Sequence, residues 1–299
     1  MLKVINPGIL MTVQDQGRKK HRSFGVPMSG VMDHYAANCA NYLLGNSEKE
    51  AVIEITMGGV TLDVVEDTDI SVTGGDLNGY INEKHLPMWK KLTVHSGDRL
   101  TFKGPKSGMR TYIALPGGIE SPSYLGSQSV YEKAGFGKAF QKGDNIKGRQ
   151  STAAHAKSIQ PMKIPTYTKE VTVRVVPSHY ESSFKDSSIQ YFYEKGFTIK
   201  AADRMGCQLQ GHRLERKENI DILSEATTYG TIQVPAEGSP IILLADAQTT
   251  GGYPTIGTVL TEDLWRIAQL PPGGKLFFER YPLKEDLIER SSSYESIDS

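Results

Sequence analysis

A chain of 299 residues, 38% hydrophobic and carrying 30 glycines and 15 prolines, predicts about two soluble domains with many turns. Lysine plus arginine balance aspartate plus glutamate at 34 each, which argues against nucleic acid or an acidic membrane surface as a partner. No apolar run approaches the roughly 18 residues of a bilayer span, Pro7-Gly8 interrupts the start before a signal core forms, and Cys39 and Cys207 are too few for a disulfide framework, so a cytoplasmic protein is expected.

The first residues predict a strand through Val4 and Ile5, a turn at Asn-Pro-Gly, and a second strand over 9–13. A polar turn with Gln14, Asp15 and Arg18 follows, then a shaped loop over 25–33, dense in Gly, Pro and Ser. From Asp33 to Leu44 the apolar residues fall near helical spacing, with Asp33 as N-cap and Gly45 just past the end. Short β-branched or aromatic segments at 51–56, 60–65, 70–73, 79–81, 91–94, 99–102 and 111–115 predict a run of strands. The aperiodic stretch 148–165 reads as a linker, dividing the chain into units 1–165 and 166–285, with a disordered tail over 286–299. In the second unit, 171–176, 207–209 and 276–279 predict strands and 187–193 a short helix or turn. A helix is expected over 261–269, capped by Thr261, with Leu264, Trp265 and Ala268 on one face.

The two halves echo each other. Glu54-Ile-Thr-Met-Gly58 resembles Glu225-Ala-Thr-Thr-Tyr-Gly230, and Ile70 resembles Ile241, both at an offset of 171 residues. This predicts two copies of one β-rich unit, for which closed barrels solve the edge-strand problem. In the second copy, 232–234 predicts a strand, 236–240 a turn and 241–245 a buried strand that ends in the polar loop Asp246-Ala-Gln-Thr-Thr-Gly-Gly-Tyr-Pro254. That loop gathers a carboxylate, two hydroxyls, an amide and backbone N–H groups, and reads equally as a functional loop or as a turn capping a barrel strand. Thr73-Gly-Gly-Asp76 is its counterpart in the first copy.

No phosphate-binding glycine motif, no metal spacing among the seven histidines and no nucleophile elbow is present in the sequence. Two acid–base pairs stand at turns, Asp15 with Arg18 and Asp203 with Arg204. Their arginines suit a carboxylate or carbonyl ligand, or else close a local ion pair. Gln233, Gln248, Thr249 and Thr250 match an amide or ureido ligand in kind, or cap turns.

Val13-Gln-Asp-Gln-Gly-Arg18, Gly25-Val-Pro-Met-Ser-Gly-Val-Met-Asp33, Asp203-Arg-Met-Gly206, Ile232-Gln-Val-Pro235 and Gln248-Thr-Thr-Gly-Gly-Tyr-Pro254 resemble the biotin-dependent carboxyltransferase family, and the likeness runs from about residue 2 to residue 278. The resemblance implies a mainly β fold of two cyclophilin-like β-barrel domains in pseudo-repeat with few short helices. It implies the role of the C subunit in an ATP-dependent 5-oxoprolinase, hydrolysing 5-oxoproline to glutamate with the A subunit of the complex and its kinase-inhibitor-like B subunit. ATP is then shared with, or bound by, those partners. Asp203, Arg204 and Gln248 are expected to be catalytic, with Gln14, Asp15, Arg18, Gln233, Asp246, Thr249, Thr250 and Tyr253 binding the amide or ureido substrate. The alternatives are a non-catalytic antagonist of a sporulation-kinase-inhibitor-like protein and a biotin-dependent carboxyltransferase component acting on a urea-like substrate. Gln128 and Ala247 stand where many members of the family carry arginine.

Overall fold

The computed structural model describes residues 1–149, 163–218 and 222–282. Its first half runs β1 (Leu2–Pro7), β2 (Leu10–Gln14), α1 (His34–Leu44), β3 (Val52–Thr56), β4 (Val60–Val64), β5 (Thr68–Asp76), β6 (Gly79–Ile81), β7 (Lys84–His85), β8 (Lys91–Val94), β9 (Arg99–Phe102), β10 (Ser107–Ala114) and β11 (Asn145–Ile146). The second half runs β12 (Glu170–Pro177), α2 (Asp186–Glu194), β13 (Phe197–Ala202), β14 (Gly206–Gln210), β15 (Glu225–Ala226), β16 (Thr231–Gln233), β17 (Ile241–Leu243), β18 (Thr250–Gly251), β19 (Thr255–Val259), α3 (Leu264–Gln269) and β20 (Lys275–Arg280).

In the second half the expected barrel closes, in the order β12-β19-β16-β17-β14-β13-β20. Closure leaves these strands without an exposed edge. The first half departs from the expected closed barrel: it forms two open sheets, β11-β1-β4-β9-β6-β7 and β2-β3-β10-β5-β8. Their inner faces share one core, with Val4 and Leu62 from the first sheet meeting Met11, Ile53 and Ile113 from the second. Met32, from the loop before α1, is fully buried in the core of the second-half barrel, so the halves interlock.

Helix α1 forms as its sequence predicts. Asp33 Oδ1 accepts the Ala36 N–H at 2.9 Å, a cap that contributes about 1 kcal/mol. Gly45, at φ 72°, ends the helix in the left-handed region that a side chain would disfavour. Ala36, Ala37 and Ala40 face Tyr112 and Trp89, where their small side chains let the helix approach the sheet.

Three local expectations change. The helix near 261–269 begins with a 3-10 turn over Thr261–Asp263, and α3 proper starts at Leu264 with Asp263 at the N-cap position. The Asp263 carboxylate does not cap it, because Arg174 takes both oxygens at 2.8 and 3.1 Å. Strand β13 is not foreshadowed by the sequence pattern, since Lys-Ala-Ala gives its second half no apolar alternation. Residues 73–76, expected as a loop, are the end of β5. There a Cβ on Gly75 would lie 2.8 Å from Ser107 O and 3.0 Å from Gln269 Oε1, so glycine lets β10 and α3 close in. The expected tail over 286–299 and most of the expected linker lie outside the described residues.

Candidate functional site

The β13–β14 turn carries Asp203-Arg204-Met205. Asp203 Oδ1 accepts the N–H groups of Met205 (2.7 Å) and Gly206 (2.9 Å), an Asx turn that leaves Asp203 exposed and directs Arg204 inward. The neighbours Asp203 and Arg204 therefore face different surroundings. Arg204 reaches the first half of the chain: Nη1 donates to Glu54 Oε1 (2.6 Å) and Nη2 to Gln14 Oε1 (3.2 Å) and Gly30 O (2.7 Å). Its Nε and Nη2 hold both oxygens of Asp246 at 2.8 and 3.1 Å, the forked pairing that a guanidinium favours. Burial disfavours the charge on Arg204, but Glu54 and Asp246 more than offset it, so the pKa is raised and the group stays a cation.

Glu54 reaches this position because register places it opposite Thr12 of β2 and Tyr112 of β10. Its Oε2 accepts from the Met32 N–H and the Tyr112 hydroxyl, both at 2.9 Å. The Tyr112 oxygen in turn accepts the Asp33 N–H at 2.8 Å. Asp33 continues the chain of bonds: Oδ2 accepts from Tyr167 (3.0 Å) and from Gln269 Nε2 (2.9 Å) of α3. Burial pushes the Asp33 carboxyl up to about 6, against the lowering effect of its Ala36, Gln269 and Tyr167 donors.

Two pockets flank the Asp203–Met205 turn. One, of about 220 Å³, lies between the halves, with Gln14, Arg204 and Asp246 among its polar lining and Leu10 and Val130 among its apolar lining. Lys133 Nζ approaches Met205 Sδ to 2.7 Å across it. The other, of about 320 Å³, opens beside the barrel and is lined by Asp203, Gln233, Gln248 and Tyr253. Gln248 is exposed and donates to Gln233 Oε1 at 3.3 Å. Gln233 is 2% exposed, and its Nε2 has no hydrogen-bond partner among the described residues.

The loop that presents Gln248 is pinned from behind. Thr227 Oγ1 donates to Gln248 O at 2.7 Å, the Thr227 N–H donates to Thr249 O at 3.0 Å, and Thr250 pairs with Ala226 between β18 and β15. Thr249 is buried, Thr250 exposed and Tyr253 half-exposed.

Asp15 and Arg18 take other partners than each other. Asp15 Oδ1 accepts from the Gly17 N–H (2.8 Å), Ser127 Oγ (2.5 Å) and Ser129 Oγ (2.6 Å), and Oδ2 from the Gln128 N–H (2.6 Å). Arg18 donates to Tyr124 O at 3.1 Å and to Ser129 O, and stacks over Phe136 at 4.7 Å. Burial lowers its pKa despite the nearby Asp15 and Asp246. Both residues thus clamp the 124–136 segment. Gln128 reaches out of that segment, donating to Ile119 O (2.8 Å) and accepting from Arg149 Nη2 (2.9 Å), and Ala247 is buried.

The structure therefore gathers Gln14, Arg204 and Asp246 at one pocket and Gln233, Gln248 and Tyr253 at the next, with Asp203 lining both. Sequence reasoning missed Glu54, Tyr112 and Lys133. Glu54 had one legible signal, a lone charge within Val52-Ile-Glu-Ile-Thr56, where a strand buried at every residue must supply that charge with a partner.

Comparison with known proteins adds family context. The family described as carboxyltransferase domain, subdomain A and B, matches residues 24–280. The chain is 35% identical over 290 residues to the 5-oxoprolinase C subunit of Haemophilus influenzae, covering 95% of this chain and 93% of that protein. It is 33% identical over 295 residues to the 5-oxoprolinase C subunit of Escherichia coli, covering 97% and 94%. Among solved structures, the K. lactis urea amidolyase superposes with a TM-score of 0.87 at 27% identity, over 99% of this chain and 20% of that one.

Proposed function

The chain belongs to the carboxyltransferase domain family, subdomains A and B, and from that membership we propose that it is the C subunit of a 5-oxoprolinase, opening the lactam of 5-oxoproline to glutamate together with the A and B subunits. The observation that carries this reading is the 35% and 33% identity, over nearly the whole chain, to two proteins named as 5-oxoprolinase C subunits.

The barrel-side pocket suits the substrate. A lactam offers one carbonyl acceptor and one N–H donor, and the paired amides of Gln233 and Gln248 supply both complementary groups. Tyr253 walls the pocket and Asp203 brings a carboxylate to its rim. Arg204, occupied by Glu54 and Asp246, acts in this reading as a positioning residue: it anchors the turn that presents Asp203 to the first half of the chain. An unstrained amide carbonyl needs activation, which ATP supplies. The interdomain pocket is lined by the carboxylates of Glu132, Asp203 and Asp246 against two cations, Lys133 and an Arg204 already paired with Asp246, and so fits a neutral amide better than a triphosphate. ATP therefore belongs with the A and B subunits in this reading, in the cytoplasm where it is abundant.

The test is glutamate release from 5-oxoproline and ATP by the three subunits, repeated without this chain and with Gln248→Ala. Loss of activity on omission, and a KM raised about tenfold by the variant as one substrate hydrogen bond is lost, are expected. Undiminished glutamate release without the chain overturns the reading. The fit to urea amidolyase favours a second reading, carboxyl transfer from biotin to a urea-like substrate, because a ureido group presents the same donor and acceptor pattern. That reading requires a biotinylated carrier, so inhibition by avidin separates the two. A purely sequestering antagonist would form a stable complex with no turnover in either assay.

A further inference from the structure

The Gln233 amide has two ends in different surroundings. Its Oε1 accepts from Gln248 in the lactam pocket. Its Nε2 lies against Gly251, so close that a Cβ at 251 would overlap it. Gly251 does not line the Gln248 pocket. It lines a third cavity, of about 290 Å³, on the other side of Gln233. Gln233 and Tyr253 wall both spaces, so the two are neighbours across one side chain. This donor is buried, has no acceptor among the described residues and packs against a glycine of the third cavity's lining, so an acceptor oxygen brought there would supply the bond it lacks.

The rest of the cavity is rich in acceptors. Glu225 Oε1 accepts from the Tyr180 hydroxyl at 2.6 Å, and its Oε2 lies 3.8 Å from His179 Nε2. Ser178 Oγ and Thr255 Oγ1 pair at 2.7 Å on the same wall. A carboxylate with one hydroxyl and one imidazole beside it keeps acceptor capacity for a ligand that carries a cationic amine.

We propose that this cavity is a subsite for the ring-opened amino acid, with a carboxylate oxygen of the ligand on Gln233 Nε2 and its ammonium on Glu225. The assignment rests on the 5-oxoprolinase reading and follows from its chemistry. Water adds its oxygen to the lactam carbonyl carbon, the C–N bond breaks, and the departing nitrogen takes up a proton to become a primary amine, which is an ammonium at neutral pH. Only the product therefore carries a cation for Glu225. The amide nitrogen of 5-oxoproline is uncharged. The shared wall at Gln233 gives a product leaving the lactam pocket a neighbouring place that selects for it.

The test titrates L-glutamate, 5-oxoproline and glutarate separately into the purified full chain by calorimetry, with Glu225→Gln as the variant. That change keeps an acceptor for Tyr180 at an exposed position and removes only the charge. Saturable glutamate binding is expected, at least tenfold tighter than glutarate, which lacks the amine, and weakened about tenfold by Glu225→Gln. Equal affinity for glutamate and glutarate, absence of glutamate binding, or indifference to Glu225→Gln overturns the assignment. Failure of the parent reading looks different. A complex that releases no glutamate while the chain still selects glutamate over glutarate removes the 5-oxoprolinase role and leaves an amino-acid site. Chain-dependent turnover without that selectivity does the reverse.

Discussion

Replacing Arg204 with methionine removes the one cation between Glu54 and Asp246 while keeping much of the side-chain volume. The two ion pairs lost are short, 2.6 Å to Glu54 and 2.8 Å to Asp246, and the two carboxylates are 1% and 10% exposed. Breaking a buried pair from one side leaves an uncompensated charge and costs about 3–5 kcal/mol. Set against a typical total stability of roughly 5–15 kcal/mol, that is a large fraction. It corresponds to a fall in Tm on the order of 10 °C for a chain of this size. The assay is urea and thermal unfolding at pH 7 of the wild type, of Arg204→Met, and of the triple variant Arg204→Met/Glu54→Gln/Asp246→Asn. The triple variant regains most of the loss, because neutral amides need no counter-charge. A single-variant loss under about 1 kcal/mol, or a triple variant no more stable than the single, would refute the view that this triad ties the halves together.

Further outcomes follow from the same geometry. Asp33, held at about 6 by burial, binds its proton more tightly folded than unfolded, so it favours the fold below pH 4 and progressively less as pH rises toward 6. The change is on the order of 2–3 kcal/mol, and that descending segment should vanish from the stability–pH profile of Asp33→Asn; an unchanged slope would rule Asp33 out as its source. Gly251→Ala displaces the Gln233 amide by direct overlap. It should weaken glutamate binding about tenfold, equivalent to about 1.4 kcal/mol, and calorimetry checks this, with wild-type affinity counting against the placement of Gln233 Nε2. Burial pushes the thiol of Cys39 up to about 11 and that of Cys207 up to about 12, so both should react far more slowly with a disulfide reagent at pH 8 than after unfolding in urea. Two immediate equivalents of reaction in the native protein would contradict that.

Much of the architecture was legible along the chain. Helix α1 was bounded correctly because its signals are local: apolar spacing, a carboxylate that reaches an N–H three residues on, and a glycine where the backbone turns left-handed. The short strands of the first half were legible for the same reason, since β-branched residues between turn formers need only their neighbours to declare themselves. Even the kinds of group at the candidate site, side-chain amides and hydroxyls beside glycines, stood together in the sequence around Gln248.

Partnership was not legible, because a buried charge takes whichever counter-charge the fold buries with it. Asp15 stands three residues from Arg18 and Asp203 next to Arg204, and neighbourhood suggested ion pairs. In the folded chain Asp15 serves Ser127 and Ser129, Asp203 holds its own turn, and Arg204 crosses 150 residues of sequence to Glu54. Exclusion of water makes those distant pairs strong and leaves adjacent but exposed ones weak. The same holds for Gln233. That an amide ends β16 can be read along the chain; that its oxygen meets Gln248 while its nitrogen lies buried against Gly251 with a bond to offer depends on how distant strands pack around it.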